Sequence, residues 1–199
     1  MKKEKVFEMM KSEIRILGID DAAFSFADEK CKIIGVIVRG PNYLECVLSS
    51  QVVVDGFDAT EKIIHMVNND KYKYQIKTIL LDGISFAGFN VFDINEIYEK
   101  TQTPLITVTR DKPDMSKMKE SLKKNFKDWQ KRWEIISKGE LFEIKTKHNP
   151  IYVKFVGMTL SEAKEIIKIS TIRGVIPEPI RMAHLIASGI VRGESYGKA

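Results

Sequence analysis

Cysteine and histidine are scarce in this chain, with two and three residues among 199. No Cys-x-x-Cys or Cys/His spacing occurs, which argues against zinc, and Cys31 and Cys46 lie in apolar, strand-like segments as core thiols. Long hydrophobic runs are also missing. None approaches the roughly 20 residues that a membrane helix needs. The basic start, Met1-Lys2-Lys3-Glu4-Lys5-Val6-Phe7, lacks a secretory apolar stretch, so a cytoplasmic protein is expected. No Walker-type loop is present, and Ser85 lies outside a Gly-x-Ser-x-Gly context, which argues against P-loop and serine-hydrolase chemistry. Acids are outnumbered by bases, 27 to 32, for a net charge of +5 and a pI of about 9.0. That balance is compatible with a nucleic-acid partner and equally with a lysine-rich surface.

What the chain does have is acid at the ends of apolar runs. Ile16-Leu17-Gly18-Ile19 ends in Asp20-Asp21. Val52-Val53-Val54 ends in Asp55-Gly56-Phe57-Asp58. Ile79-Leu80-Leu81 ends in Asp82-Gly83. Each reads as a buried strand closing on carboxylate. Carboxylates gathered at one sheet edge can hold Mg²⁺ or Mn²⁺, and an ion held that way supports phosphodiester chemistry. Each acid also has an ordinary structural reading. Asp55-Gly56 and Asp82-Gly83 are good turn pairs, Asp21 can solvate a strand end, and Asp58 with Glu61 has the spacing of a helix capping box.

The pattern predicts strands at 13–19, 32–38 and 43–54, the last two joined as a hairpin by Arg39-Gly40-Pro41-Asn42. A helix then opens at Asp58. Strands at 76–81 and 105–109 flank a helix near 91–100. An antiparallel three-strand meander followed by parallel βαβ units, flanked by helices, is a mixed α/β sheet, here expected as one domain over 1–199. Strands one and three of a meander point the same way, and strand four joins them if it pairs parallel to strand one. Asp20, Asp55 or Asp58, and Asp82 would then share one edge.

Further on, residues 113–138 read as one long helix. Its apolar stripe carries Trp129 and Trp133, and Lys117, Lys119, Lys123, Lys124, Lys127, Lys131 and Arg132 crowd the rest. That basic side is either a solvated face or a track for phosphates. A hairpin over 140–155 and helices at 159–170 and 177–191 complete the chain. The last stretch is dense in polar groups, with Arg173, Glu178, Arg181, His184, Arg192, Glu194 and Ser195. These either line a site, with His184 as general acid or phosphate contact, or pair among themselves in packing. His65 and His148 have no partner spacing.

The runs Gly18-Ile19-Asp20-Asp21, Val54 to Thr60, Leu81 to Asn90 and His184 to Ser195 resemble the endonuclease V-like family of archaeal proteins of unknown function, over nearly the whole chain. The resemblance implies a ribonuclease H-like fold and a nuclease dependent on Mg²⁺ or Mn²⁺. It implies DNA or RNA as partner, with deaminated bases as the target. It places Asp20 and Asp82 as metal ligands and Arg110, six residues after Pro104, where the family's relative carries lysine. A third acid falls on Asp58 by place in the fold, on Glu61 by sequence distance, or on Asp55. The chain departs from endonuclease V in lacking an Arg-Glu-Gly-Pro context, a strand-separating wedge and a His-Pro after Asp-Gly. A non-catalytic nucleic-acid-binding module and an enzyme for small phosphate esters are the rival readings on the same scaffold.

Overall fold

The computed structural model describes residues 13–195. The peripheral helix or arm expected at 1–12 lies outside them. The strands are β1 (Arg15–Asp21), β2 (Lys30–Arg39), β3 (Tyr43–Val53), β4 (Ile76–Asp82), β5 (Ser85–Phe86), β6 (Asn90–Val91), β7 (Leu105–Thr109), β8 (Phe142–Ile144) and β9 (Ile151–Val156). The helices are α1 (Ala59–Asn68), α2 (Ile94–Thr101), α3 (Met115–Asn125), α4 (Trp129–Ser137), α5 (Leu160–Ser170) and α6 (Glu178–Arg192).

Seven strands form one mixed sheet in the order β3-β2-β1-β4-β7-β9-β8, and β5-β6 is a separate small hairpin. β1, β2 and β3 pair antiparallel, while β1–β4 and β4–β7 pair parallel. This is the expected meander followed by parallel units. β9 then returns antiparallel to β7, and β8 pairs antiparallel to β9. The apolar runs of β1, β4 and β7 are buried throughout, as strands covered on both faces require.

Side chains alternate between two faces. Over one face, Met66 of α1 comes so close to Gly35 that a Cβ there would lie 2.6 Å from its Sδ. Over the other, the backbone of Pro179 in α6 leaves no room for a Cβ at Gly18. Gly18 therefore sets how closely α6 can lie on β1. Asp20 shares that face, two residues on.

Three expectations need correction. The long helix over 113–138 is two helices, because Phe126 turns to an extended φ of −130°. Its ring then meets Phe89 edge-on at 5.6 Å and lies 4.3 Å from the Arg132 guanidinium. Arg132 itself is 5% exposed, so it does not belong to a solvated basic face. Its Nη1 donates to the carbonyls of Gly56 and Phe89 at 2.7 and 2.5 Å, and Nε donates to Asp128 at 3.0 Å. Helix α2 begins at Ile94 rather than near 91, since 85–91 forms the β5–β6 hairpin. Finally, the Asp58/Glu61 capping box does not form. Asp58 makes no side-chain cap bond, and the Glu61 side chain is 80% exposed. Asn90 supplies the cap instead, accepting from Ala59 N at 3.0 Å. The capping box at Thr159 and Glu162 does form.

Candidate active site

The parallel pairing brings the carboxyl ends of β1, β4 and β7 to one edge. Asp20 and Asp21 end β1, Asp82 ends β4, and Arg110 follows β7 by one residue. Helix α6 crosses above them. Asp20 is 2% exposed, a position where a carboxylate needs partners. Its Oδ1 accepts from Asp21 N at 2.8 Å, and its Oδ2 lies 2.9 Å from His184 Nδ1. The close seat of α6 on Gly18 is what brings His184 within reach.

Asp21 points to a different neighbour. Its Oδ2 accepts from Ala87 N at 2.5 Å, at the turn of the β5–β6 hairpin. Burial, and then the charge of Asp20, push the Asp21 carboxyl up to about 7. Burial likewise pushes Asp82 up to about 7, reinforced by Asp20 and Asp21 and opposed by His184 and Arg110. His184 is raised above its ordinary value, first by the hydrogen bond to Asp20, with burial opposing. Arg110 adds a buried Nε with no hydrogen-bond partner among the described residues. Three carboxylates, one imidazole and one guanidinium therefore share a common field.

The middle acids are used otherwise. Asp55 sits at φ 53°, and its Oδ1 accepts from Phe89 N at 2.8 Å while its own N donates to Ala87 O. Gly88, at φ 86°, passes Asp55 so closely that no Cβ would fit. Asp58 Oδ1 accepts from Asn90 Nδ2 at 2.6 Å and from Val53 N at 3.1 Å. Asn90 Nδ2 also donates to Val53 O at 2.9 Å. Asp58 is thus a latch between β3 and the hairpin, and the set Asp20, Asp58 and Asp82 does not form a cage. Among the described residues, no three His, Cys, Asp or Glu side chains stand as a ready-made metal cage.

The sequence did not expose Asn90 as the cap and latch, nor Arg132 as the tie that joins α4 to the hairpin. Gly88 and Asn90 hinted at a tight loop, but which acids would close it depends on contacts across 31 to 34 residues. At the other end of the polar C-terminal stretch, Glu178 and Arg181 pair with each other, the closest approach being 2.5 Å. The pairing reading of that stretch holds for Glu178 and Arg181, while His184 lies against Asp20.

The seven-strand mixed sheet with helices on its faces is a ribonuclease H-like fold, and Asp20, Asp21 and Asp82 lie together at its parallel edge. The profile of the endonuclease dU family matches residues 12–191, and the chain belongs to that family. A protein of Methanothermobacter thermautotrophicus, named only as a UPF0215 protein, is 47% identical over 97% of this chain and 95% of its own. A crystal structure of an Archaeoglobus fulgidus protein of unknown function is 40% identical, with a TM-score of 0.82 over 91% of this chain and all of that one. Ciona intestinalis endonuclease V, crystallised with a 24mer DNA containing an inosine followed by a ribo-adenosine, shares the fold. It has a TM-score of 0.57 and 18% identity over 87% of this chain and 84% of that one. Among the described residues, no helix is long and apolar enough to cross a membrane.

Proposed function

We propose that this protein is a nuclease that cuts phosphodiester bonds with Mg²⁺ or Mn²⁺, held by Asp20 and Asp82 with Asp21 beside them. The observation that carries this reading is the shared field at the β1–β4–β7 edge. Asp21 and Asp82 are both pushed up to about 7 by burial and by neighbouring acids. Such a cluster carries more negative charge than its surroundings compensate, and a divalent cation relieves it. The donors are hard carboxylate oxygens, the class Mg²⁺ and Mn²⁺ prefer. The fit lies in donor chemistry and charge. When bound, the ion supplies Lewis acidity and lowers the pKa of water.

The chain's own groups supply the rest. His184 Nδ1 donates to Asp20 Oδ2 and fixes the orientation of that carboxylate, as partners of metal ligands commonly do. Its raised pKa keeps more of the imidazole protonated near neutrality, and Nε2 is the nitrogen free to give a proton to a leaving oxygen. Arg110 offers guanidinium donors to a phosphate oxygen. Asp21 ties the acids to the β5–β6 hairpin through Ala87 N, so hairpin position and cluster geometry are linked.

The family's name points to deoxyuridine, and the Ciona relative was crystallised with inosine, so DNA carrying deaminated bases is the substrate class we propose. Ile84-Ser85 follows Asp82-Gly83 here, and the residues that would read the base differ accordingly from a His-Pro segment. The test is a cleavage panel with Mg²⁺ and Mn²⁺. It compares intact DNA and RNA with strands carrying uracil or hypoxanthine. Cleavage with preference for a deaminated base is the expected result. A protein that cuts none of them under either metal would overturn the proposal.

A further inference from the structure

Away from the acids, the structure holds a concave feature of about 820 Å³, between the turn that follows β8 and the carboxyl end of α5. Lys145, Lys147 and His148 line it from the turn, and Lys164, Lys168 and Arg173 from the helix and the segment after it. Among the described lining residues, Glu143 is the one carboxylate. The lysines, His148 and Arg173 are all exposed at the cleft, and none of the lysines nor Arg173 is in an ion pair among the described residues. The floor is apolar, with buried Ile144 and Ile167 and the half-exposed Ile172.

The position of this cleft follows from the strand register. Asp82 pairs with Val108, Thr109 with Tyr152, and Ile144 with Ile151. The outgoing end of β8 therefore lies at the same sheet edge as Asp20, Asp82 and Arg110. It is three strands from β4, roughly 14 Å at ordinary strand spacing. α5 covers the face whose apolar cluster includes Ile16, Leu80 and Ile180, the face toward which Asp20 and Asp82 also point.

We infer that this basic cleft binds the sugar–phosphate backbone of a single-stranded stretch of nucleic acid whose scissile phosphate lies at the acid edge. Unpaired cations around a cleft suit a polyanion, and a floor of isoleucines suits the faces of unstacked bases. Its volume suits a nucleotide or two and is too small for a duplex. His148, incidental in the sequence, becomes a lining residue. The inference rests on the nuclease reading for its ligand class but not for its readout.

The test measures equilibrium binding of labelled single-stranded DNA and RNA, a dinucleotide and a dodecanucleotide, to wild type and to a K145Q/K147Q/K164Q/K168Q variant. A chelator keeps cleavage out of the measurement, and thermal melting confirms that the variant folds. The dodecanucleotide should bind the variant at least about tenfold more weakly, with a salt slope shallower by about 0.7 for each phosphate no longer neutralised. The dinucleotide, which the cleft can hold by itself, should also bind the variant more weakly. Unchanged dodecanucleotide affinity and slope would overturn the cleft while leaving the nuclease reading standing. Wild type that binds no strand would overturn the cleft as well. A small triphosphate that competes with the dodecanucleotide at equal affinity would also overturn it, by making the cleft a small-molecule site. Loss of cleavage in the metal panel with strand binding intact would instead count against the nuclease reading alone.

Discussion

Two groups of aspartates stand at the ends of strands in one sheet, and the fold treats them in opposite ways. At the β1–β4 edge, Asp20, Asp21 and Asp82 repel one another, with His184 and Arg110 as the nearby opposing charges. At the end of β3, Asp55 and Asp58 are bonded to Phe89 N, Asn90 Nδ2 and Val53 N, and serve to dock the β5–β6 hairpin. Composition alone does not distinguish the two groups. Backbone donors reach both groups, and what distinguishes the edge acids is that they are buried within one another's field. The hairpin arrangement stabilises a fold; the edge arrangement stores charge that a cation can relieve.

The contrast is broken most severely at the edge acids. Asp20→Asn and Asp82→Asn should each lower metal-dependent cleavage by more than the roughly 10²–10³-fold that loss of one electrostatic donor costs, with the fold intact. Rates at saturating Mn²⁺ and circular dichroism check both halves of that statement. His184→Gln should have a smaller effect, about 10–100-fold, because it acts on Asp20 from outside. Asp58→Ala should do the reverse of the edge variants. It strips the latch and costs about 1–3 kcal/mol in denaturant unfolding by leaving Val53 N without its acceptor and Asn90 Nδ2 with one of its two. Metal affinity should survive it.

The smallest effect is one of pH. A carboxyl raised in the native state holds its proton more tightly folded than unfolded. Stability contributed by Asp21 and Asp82 therefore falls as pH rises from the ordinary carboxylate range to about 7. The raised His184 acts in the same direction, its share being lost as pH rises through its native value. In chelator, Asp82→Asn should melt close to wild type at about pH 5. At about pH 8 it should melt higher, by roughly 2–4 °C for each kcal/mol of repulsion removed.

The sheet was legible because its cause is local. Buried runs, turn punctuation and strand order predicted the meander, the parallel units and the edge where Asp20 and Asp82 meet. The family resemblance pointed the same way for Asp20, Asp82 and Arg110. What could not be read locally was decided by contacts between distant segments. Asp58 has the spacing of a cap, yet Asn90, 31 residues beyond Ala59, occupies that role. Arg132 sits among lysines in sequence, yet two carbonyls and the Phe126 ring draw it inside. The break at Phe126 is equally invisible in a periodicity that continues through it.

The central claim is that the edge acids hold a divalent ion and the hairpin acids do not. Calorimetric titration of Mn²⁺ into wild type, Asp82→Asn and Asp58→Ala at about pH 8, above the raised carboxyl values, tests it directly. Binding by wild type and Asp58→Ala, and its loss in Asp82→Asn, is the predicted result. Undiminished binding by Asp82→Asn, or none by wild type, would contradict it.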